Sequence, residues 1–99
     1  MTIAIDFDGT MCEERYPDIG EPRWDVINYI NMLQKSGDKV ILWTCRKGKR
    51  LKEAVKWCEE KGIIFDAVNK NLKEHIKKYH NDTRKIFADI YIDDKAMKI

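Results

Sequence analysis

Ile3-Ala4-Ile5-Asp6-Phe7-Asp8-Gly9-Thr10 is the stretch from which the rest of the chain can be read. An apolar run without alternation leads into two aspartates two positions apart, and Asp8-Gly9 then signals a turn. Continuous rather than alternating hydrophobicity marks a strand buried on both faces, as in parallel sheets. Asp8-Gly9 on its own would also suit a hairpin. The residues up to Gly20, with Pro17 and Asp18 among them, read as a polar loop rather than a returning strand.

Working outward, Pro22 suits the first position of a helix. Val26, Ile27, Ile30 and Leu33 then fall on one helical face, and Gly37 is placed to end it. Lys39 to Thr44 reads as a second buried strand, followed by the basic turn Arg46-Lys47-Gly48-Lys49-Arg50. A second helix shows the face Leu51, Ala54, Val55 and Cys58 and stops at Gly62. Ile63 to Val68 is expected as a third strand, Leu72, Ile76 and Tyr79 as a short third helix, and Ile86 to Ile92 as the region of a fourth strand that runs into Asp93-Asp94. Strands alternating with helices imply right-handed crossovers and a parallel sheet between helical layers. The expectation is one domain over residues 1–99: a three-layer α/β/α sandwich on a Rossmann-like, four-stranded parallel sheet in the order 3-2-1-4, with Asp6 on a central strand.

Bulk properties agree. A chain of 99 residues is one domain with a small core. Hydrophobic residues at 43% and charged residues at 36% suit a water-soluble globular protein and argue against disorder. A net charge of +2 says little about partners. No apolar run is long enough for a membrane span, and the first residues lack the pattern of a secretory leader. Cys12, Cys45 and Cys58 lack zinc-site spacing, so they read as reduced thiols of a cytoplasmic protein.

Ligands of open parallel sheets sit at the carboxyl ends of the strands. Here those ends carry Asp6 and Asp8, Thr44 to Arg46, and Asp93 with Asp94. Up to four carboxylates brought together repel one another unless something neutralises them. A hard divalent cation does so. Magnesium takes one or two protein carboxylates together with water and substrate phosphate, so the pattern predicts Mg2+ and a phosphorylated substrate. Thr44 offers a hydroxyl, Cys45 a backbone N–H and Lys85 a positive charge, which is the charge stabilisation that phosphoryl transfer needs. One aspartate can attack phosphorus while the other serves as acid and then base.

These residues resemble a known family. Asp6-Phe7-Asp8-Gly9-Thr10 is similar to the first motif of the haloacid dehalogenase (HAD)-like superfamily, D-x-D-G-T. Leu42-Trp43-Thr44 resembles its second motif, and Ile92-Asp93-Asp94 its acidic fourth motif in the paired-aspartate form. The resemblance runs over nearly the whole chain. It implies a magnesium-dependent phosphatase acting through an aspartyl-phosphate. Asp6 would be the nucleophile and a metal ligand. Asp8 would be the general acid/base and would lend its backbone carbonyl to the metal. Thr44 would bind the phosphoryl group, Asp93 would ligate magnesium, and Asp94 would bind it through water or orient Asp93. The motif lysine would be Lys85, eight residues before Asp93, with Lys70 as its rival. The crossovers leave no room for a cap domain. Capless members accept large substrates or borrow a cover from another subunit, which makes an oligomer one expectation. The loop holding Glu13, Glu14, Arg15 and Tyr16 would be the only local flap.

Several other readings bear on the same residues. A cysteine-phosphatase loop at Cys45 would need an arginine where Leu51 stands, and is discarded. Arg46 is expected to touch substrate. The cluster Arg46, Lys47, Lys49, Arg50 and Lys52 suits a solvated helix start, or attraction of a nucleotide or nucleic-acid end. Trp24, Trp43 and Trp57 are expected to pack in the core or between helices. Two alternatives to hydrolysis stand beside it: a phosphate- or nucleic-acid-binding module without turnover, and phosphoryl transfer to an acceptor other than water.

Overall fold

The alternation of buried strands with one-faced helices takes shape in a computed structural model that describes residues 1–70, 72–73, 87–93 and 97–98. The elements are β1 (Thr2–Ile5), α1 (Trp24–Lys35), β2 (Lys39–Leu42), α2 (Gly48–Glu60), β3 (Ala67–Val68), β4 (Ile90–Ile92) and β5 (Met97–Lys98). The sheet order is β3-β2-β1-β4-β5. The pairs of β1 with β2, β1 with β4 and β2 with β3 are parallel, with Ile5 opposite both Leu42 and Ile92. The expected 3-2-1-4 order is therefore present, with β1 in the middle. A fifth strand adds to it: β5 pairs antiparallel with β4. Two residues are too short to leave a periodic signal.

The odd residues Ile3, Ile5 and Phe7 join Val40 and Leu42 on one face. Against them pack Ile27, Ile30 and Leu33 of α1 and Ala54 and Cys58 of α2, all in one buried cluster. The opposite face is lighter, with Ala4, Ile41, Ala67 and Leu72 buried together. Both helices thus cover the same face, as right-handed crossovers from β1 to β2 to β3 require. The helix expected around Ile76 and Tyr79 lies outside the described residues.

Both helices end in the same Schellman arrangement. At α1, Gly37 N–H donates to Gln34 and Asp38 N–H to Leu33, each at 3.0 Å. At α2, Gly62 donates to Glu59 and Ile63 to Cys58, again at 3.0 Å. Gly62 sits at φ +87°, a left-handed geometry that a side chain would strain. This ending also explains why the third strand is shorter than expected. The Ile63 N–H is spent on the helix end, and ladder pairing begins only at Ala67.

Two strand starts use one device. Asp66, just before β3, donates its N–H to Val40 O at 2.8 Å and accepts the Val40 N–H at 2.7 Å on Oδ2. Asp89, just before β4, does the same with Thr2, at 2.8 Å in both directions. Each closes the amino end of a parallel pair where the ladder would otherwise fray.

The tryptophans divide. Trp57 meets the Phe7 ring edge-on at 5.4 Å between centroids. Trp24 and Trp43 keep 53% and 46% of their surface, so the expectation of core packing fails for them. Trp24 opens α1 and faces Lys61 instead, and Trp43 lies past the end of β2 beside Tyr91. Among the described residues no helix is long and apolar enough to cross a membrane.

Candidate active site

Beyond Ile5 the chain leaves the sheet in a tight turn. The Thr10 and Met11 N–H groups donate to Phe7 O at 3.1 and 2.9 Å, and Gly9 N–H donates to Cys12 O at 3.0 Å. Phe7, Met11 and Cys12 are fully buried, so the turn is bolted to the heavier face of the core. Cys12 then bridges Pro22, and Glu13 N–H donates to Glu21 O at 2.9 Å. Residues 13 to 21 form a loop closed at its neck. A Cβ at Gly20 would overlap the Glu13 carbonyl, so only glycine lets the two legs approach this closely.

This flap and the strand ends enclose a cleft of about 410 Å³ lined by Asp6, Asp8, Glu14, Tyr16, Thr44, Cys45 and Arg46. Five of the expected site residues therefore share one space. A larger and more open depression of about 620 Å³, lined by residues such as Asn31, Met32 and Lys61, lies by the last turns of α1 and α2. It belongs to the amino end of the sheet and holds no acid pair, so the smaller cleft is the better candidate.

Asp6 stands one residue past β1, and its Oδ1 accepts the Phe7 N–H at 2.8 Å. Its own N–H donates to Ile92 O at 3.0 Å. Asp6 and Asp93 each follow the last β1–β4 register pair, Ile5 with Ile92. They are neighbours across a strand spacing of about 4.8 Å. Asp94 and Lys85 lie outside the described residues. Lys70 is exposed and follows Asn69.

Arg46 is placed very differently from a surface cation. Its residue surface is 2% exposed. Nε donates to Asp8 Oδ2 and Nη2 to Asp8 Oδ1, both at 2.8 Å. Nη2 also donates to Asp18 O at 2.8 Å, and Nη1 to Pro17 O at 3.2 Å and Arg50 O at 3.4 Å. All five guanidinium hydrogens are thus engaged. The Phe7 and Tyr16 rings lie 5.1 and 5.0 Å from Cζ. The hydrogen bonds to Asp8 hold the guanidinium pKa above its ordinary value, so Arg46 stays charged although burial opposes it. The bidentate fork is the strong form of this pairing, and removing one partner of a buried ion pair costs about 3–5 kcal/mol. Arg46 therefore lines the cleft with donors already committed, which leaves little for the direct substrate contact expected of it. The expected crowd of carboxylates is likewise reduced, because Asp8 turns to Arg46.

Thr44 Oγ1 accepts the Arg46 N–H at 3.1 Å, which leaves its own proton available to donate. Cys45 is exposed beside it. This short loop is held by Asn69, a residue that sequence reasoning missed. Asn69 Oδ1 accepts the Thr44 N–H at 2.7 Å, and Nδ2 donates to Arg46 O at 3.5 Å. Its backbone is left-handed at φ +53°, a conformation asparagine tolerates better than most residues. An asparagine ending a buried strand was the signal available.

Among the described residues no group of three or more His, Cys, Asp or Glu side chains is placed to hold a metal ion. Zinc-type ligation by several side chains has no support there. Asp6 and Asp93, at adjacent strand ends, and the Asp8 carbonyl oxygen are hard oxygen donors of the kind magnesium takes from a protein.

The fold and this cleft define a Rossmann-like α/β domain whose acidic site lies at the carboxyl end of its central strand. No family model and no curated protein matches the chain. Among solved structures it is similar to a conserved protein of Bacteroides thetaiotaomicron, with 43% identity, a TM-score of 0.86, and coverage of 97% of this chain and 77% of that one. The chain belongs to the same family as that conserved Bacteroides protein.

Proposed function

We propose that the protein is a magnesium-dependent phosphatase of the HAD-like type, hydrolysing phosphate monoesters through an aspartyl-phosphate at Asp6. The observation that carries this reading is the cleft itself. Asp6 at the end of the central strand, Asp8 fixed two residues on and Thr44 at the end of the next strand line one space.

Asp6 attacks phosphorus as the bond to the leaving oxygen breaks. The Thr44 hydroxyl donates to a phosphoryl oxygen. Asp8, with both oxygens accepting from Arg46, is presented as a base for the water that hydrolyses the aspartyl-phosphate. Protonating a poor leaving group in the first step needs a proton on Asp8 and release of one of those two bonds. Magnesium held by Asp6 and Asp93 would offset charge on the phosphoryl oxygens. Lys85 and Asp94 keep the supporting roles that the family resemblance implies. A cleft of about 410 Å³ suits a phosphorylated small molecule or nucleotide, and exposed Lys47 and Lys49 add local attraction for an anion. The cytoplasm is the compartment that fits three free thiols.

Turnover of an aryl phosphate by purified protein, with and without chelator, tests the reading. Magnesium-dependent turnover that Asp6→Asn abolishes is the expected result. Metal-independent activity, or full activity in Asp6→Asn, would overturn it. Phosphate binding without turnover of any ester would favour the binding-module alternative.

A further inference from the structure

Arg46 is the only residue described that touches the strand-end acid, the flap and the second strand-end loop together. Asp8 lies 38 positions away in sequence, Asp18 28 and Pro17 29. Ile19 packs against the core near the neck, and among the described residues the flap tip is tied to the rest of the domain through Arg46. Its remaining bonds are internal, such as Tyr16 N–H to Glu14 Oε2 at 3.1 Å and Arg15 to Glu13 at 3.3 Å, both exposed. The neck is closed by backbone pairing, whereas the tip carbonyls of Pro17 and Asp18 reach inward to one guanidinium. That guanidinium has no spare hydrogen, so holding the flap and holding Asp8 draw on the same five donors.

We infer that Arg46 is a positioning residue that latches the flap of residues 13–21 to Asp8, so that flap closure and orientation of the Asp8 carboxylate are one coupled event. Opening the flap removes two acceptors from Nη1 and Nη2 and frees the fork to tilt. Movement of Asp8 toward a proton or a leaving group loosens the flap in turn. The flap also carries Glu14 and Tyr16 on the cleft wall, so the latch links access of substrate to readiness of the acid/base. The catalytic half of this inference rests on the role proposed for Asp8, while the mechanical half does not.

Hydrogen exchange read by mass spectrometry on the 13–21 segment tests the mechanical half in Arg46→Lys, Asp8→Asn and the double variant. Lysine keeps the charge but cannot supply the fork and the carbonyl contacts together. Arg46→Lys should raise flap exchange by about tenfold or more while α1 and α2 stay protected. Asp8→Asn, which touches no tip residue, should also raise it, and the double variant should add little to Arg46→Lys alone. Flap exchange unchanged in Asp8→Asn overturns the coupling, and that variant keeps the test decisive if Arg46→Lys fails to fold. With an aryl phosphate, Arg46→Lys should lower kcat by about 10–100-fold with KM within about threefold, as misplacement of a catalytic group does. A rise in KM at unchanged kcat would instead make Arg46 a direct substrate ligand and overturn the inference. If the wild-type protein turns over no ester, the phosphatase reading fails while the exchange data still decide the latch.

Discussion

The two ends of the sheet use the same residue for opposite ends. At the amino end, Asp66 and Asp89 each bracket the neighbouring strand's first residues, with the carboxylate and the N–H both spent on backbone at 2.7–2.8 Å. At the carboxyl end, Asp6, Asp8 and Asp93 follow their strands. Asp8 is held there by a side chain rather than backbone, with both oxygens on Arg46. An aspartate before a strand completes a ladder, whereas Asp6 and Asp8 after β1 line a cleft. Position along the strand, more than the count of acids, separates structural carboxylates from candidate chemical ones.

The largest effect that would sharpen this contrast is at Asp6. Asp6→Asn should lower kcat/KM for an aryl phosphate by roughly 10⁴-fold or more, as loss of a nucleophile does, with a melting temperature close to wild type. A large loss of stability together with partial activity would move Asp6 into the structural class. A middle-sized effect of the opposite kind is expected at Asp66. Asp66→Ala strips the Val40 N–H of its acceptor and should cost about 1–3 kcal/mol, read by urea unfolding, with kcat/KM within about twofold. An activity loss there larger than the loss of folded protein would blur the division between the two ends.

The smallest effect concerns the core beneath both ends. Burial pushes the Cys58 thiol up to about 12 from 9.0, and burial also raises Cys12. Between those values the unfolded chain has lost a proton that the folded chain keeps. Stability is therefore full below about pH 9 and declines as pH rises toward 12. Urea midpoints from pH 8 to 10.5 should show this decline, and Cys58→Ala should flatten it after its own small destabilisation. In native protein a thiol reagent should modify Cys45 quickly and the two buried thiols only on unfolding.

Much of this architecture was legible in the chain. Ile3 to Ile5 announced a central strand because both of its faces are covered, and Gly37 and Gly62 announced the helix ends that the Schellman bonds confirm. The strand order placed Asp6 and Thr44 on adjacent ends. Arg46 was not legible, because it stands in the run Arg46-Lys47-Gly48-Lys49-Arg50 and nothing local separates the one buried cation from its exposed neighbours. Its partners lie far away in sequence, and only the folded chain brings them together. Asn69 was hidden for a similar reason: the backbone groups its amide binds, at Thr44 and Arg46, lie 25 and 23 positions away. The amino-end clamps at Asp66 and Asp89 escaped because acids before strands resemble ordinary loop residues.

The neck of the flap has a practical consequence for protein engineering. Because Glu13 and Glu21 are paired at 2.9 Å, the chain leaves and re-enters the domain at nearly one point. Such a point accepts a spliced-in peptide or domain with little strain, and each doubling of loop length costs only about 0.6 kcal/mol in closure entropy. Glu14 and Arg15 are exposed, and the hydrogen bonds from Arg46 to the flap go to Pro17 and Asp18, so the bond between Glu14 and Arg15 is the place to cut. A reporter or binding module grafted there would project over the cleft mouth, and what it binds would gain a mechanical handle on the chemistry below.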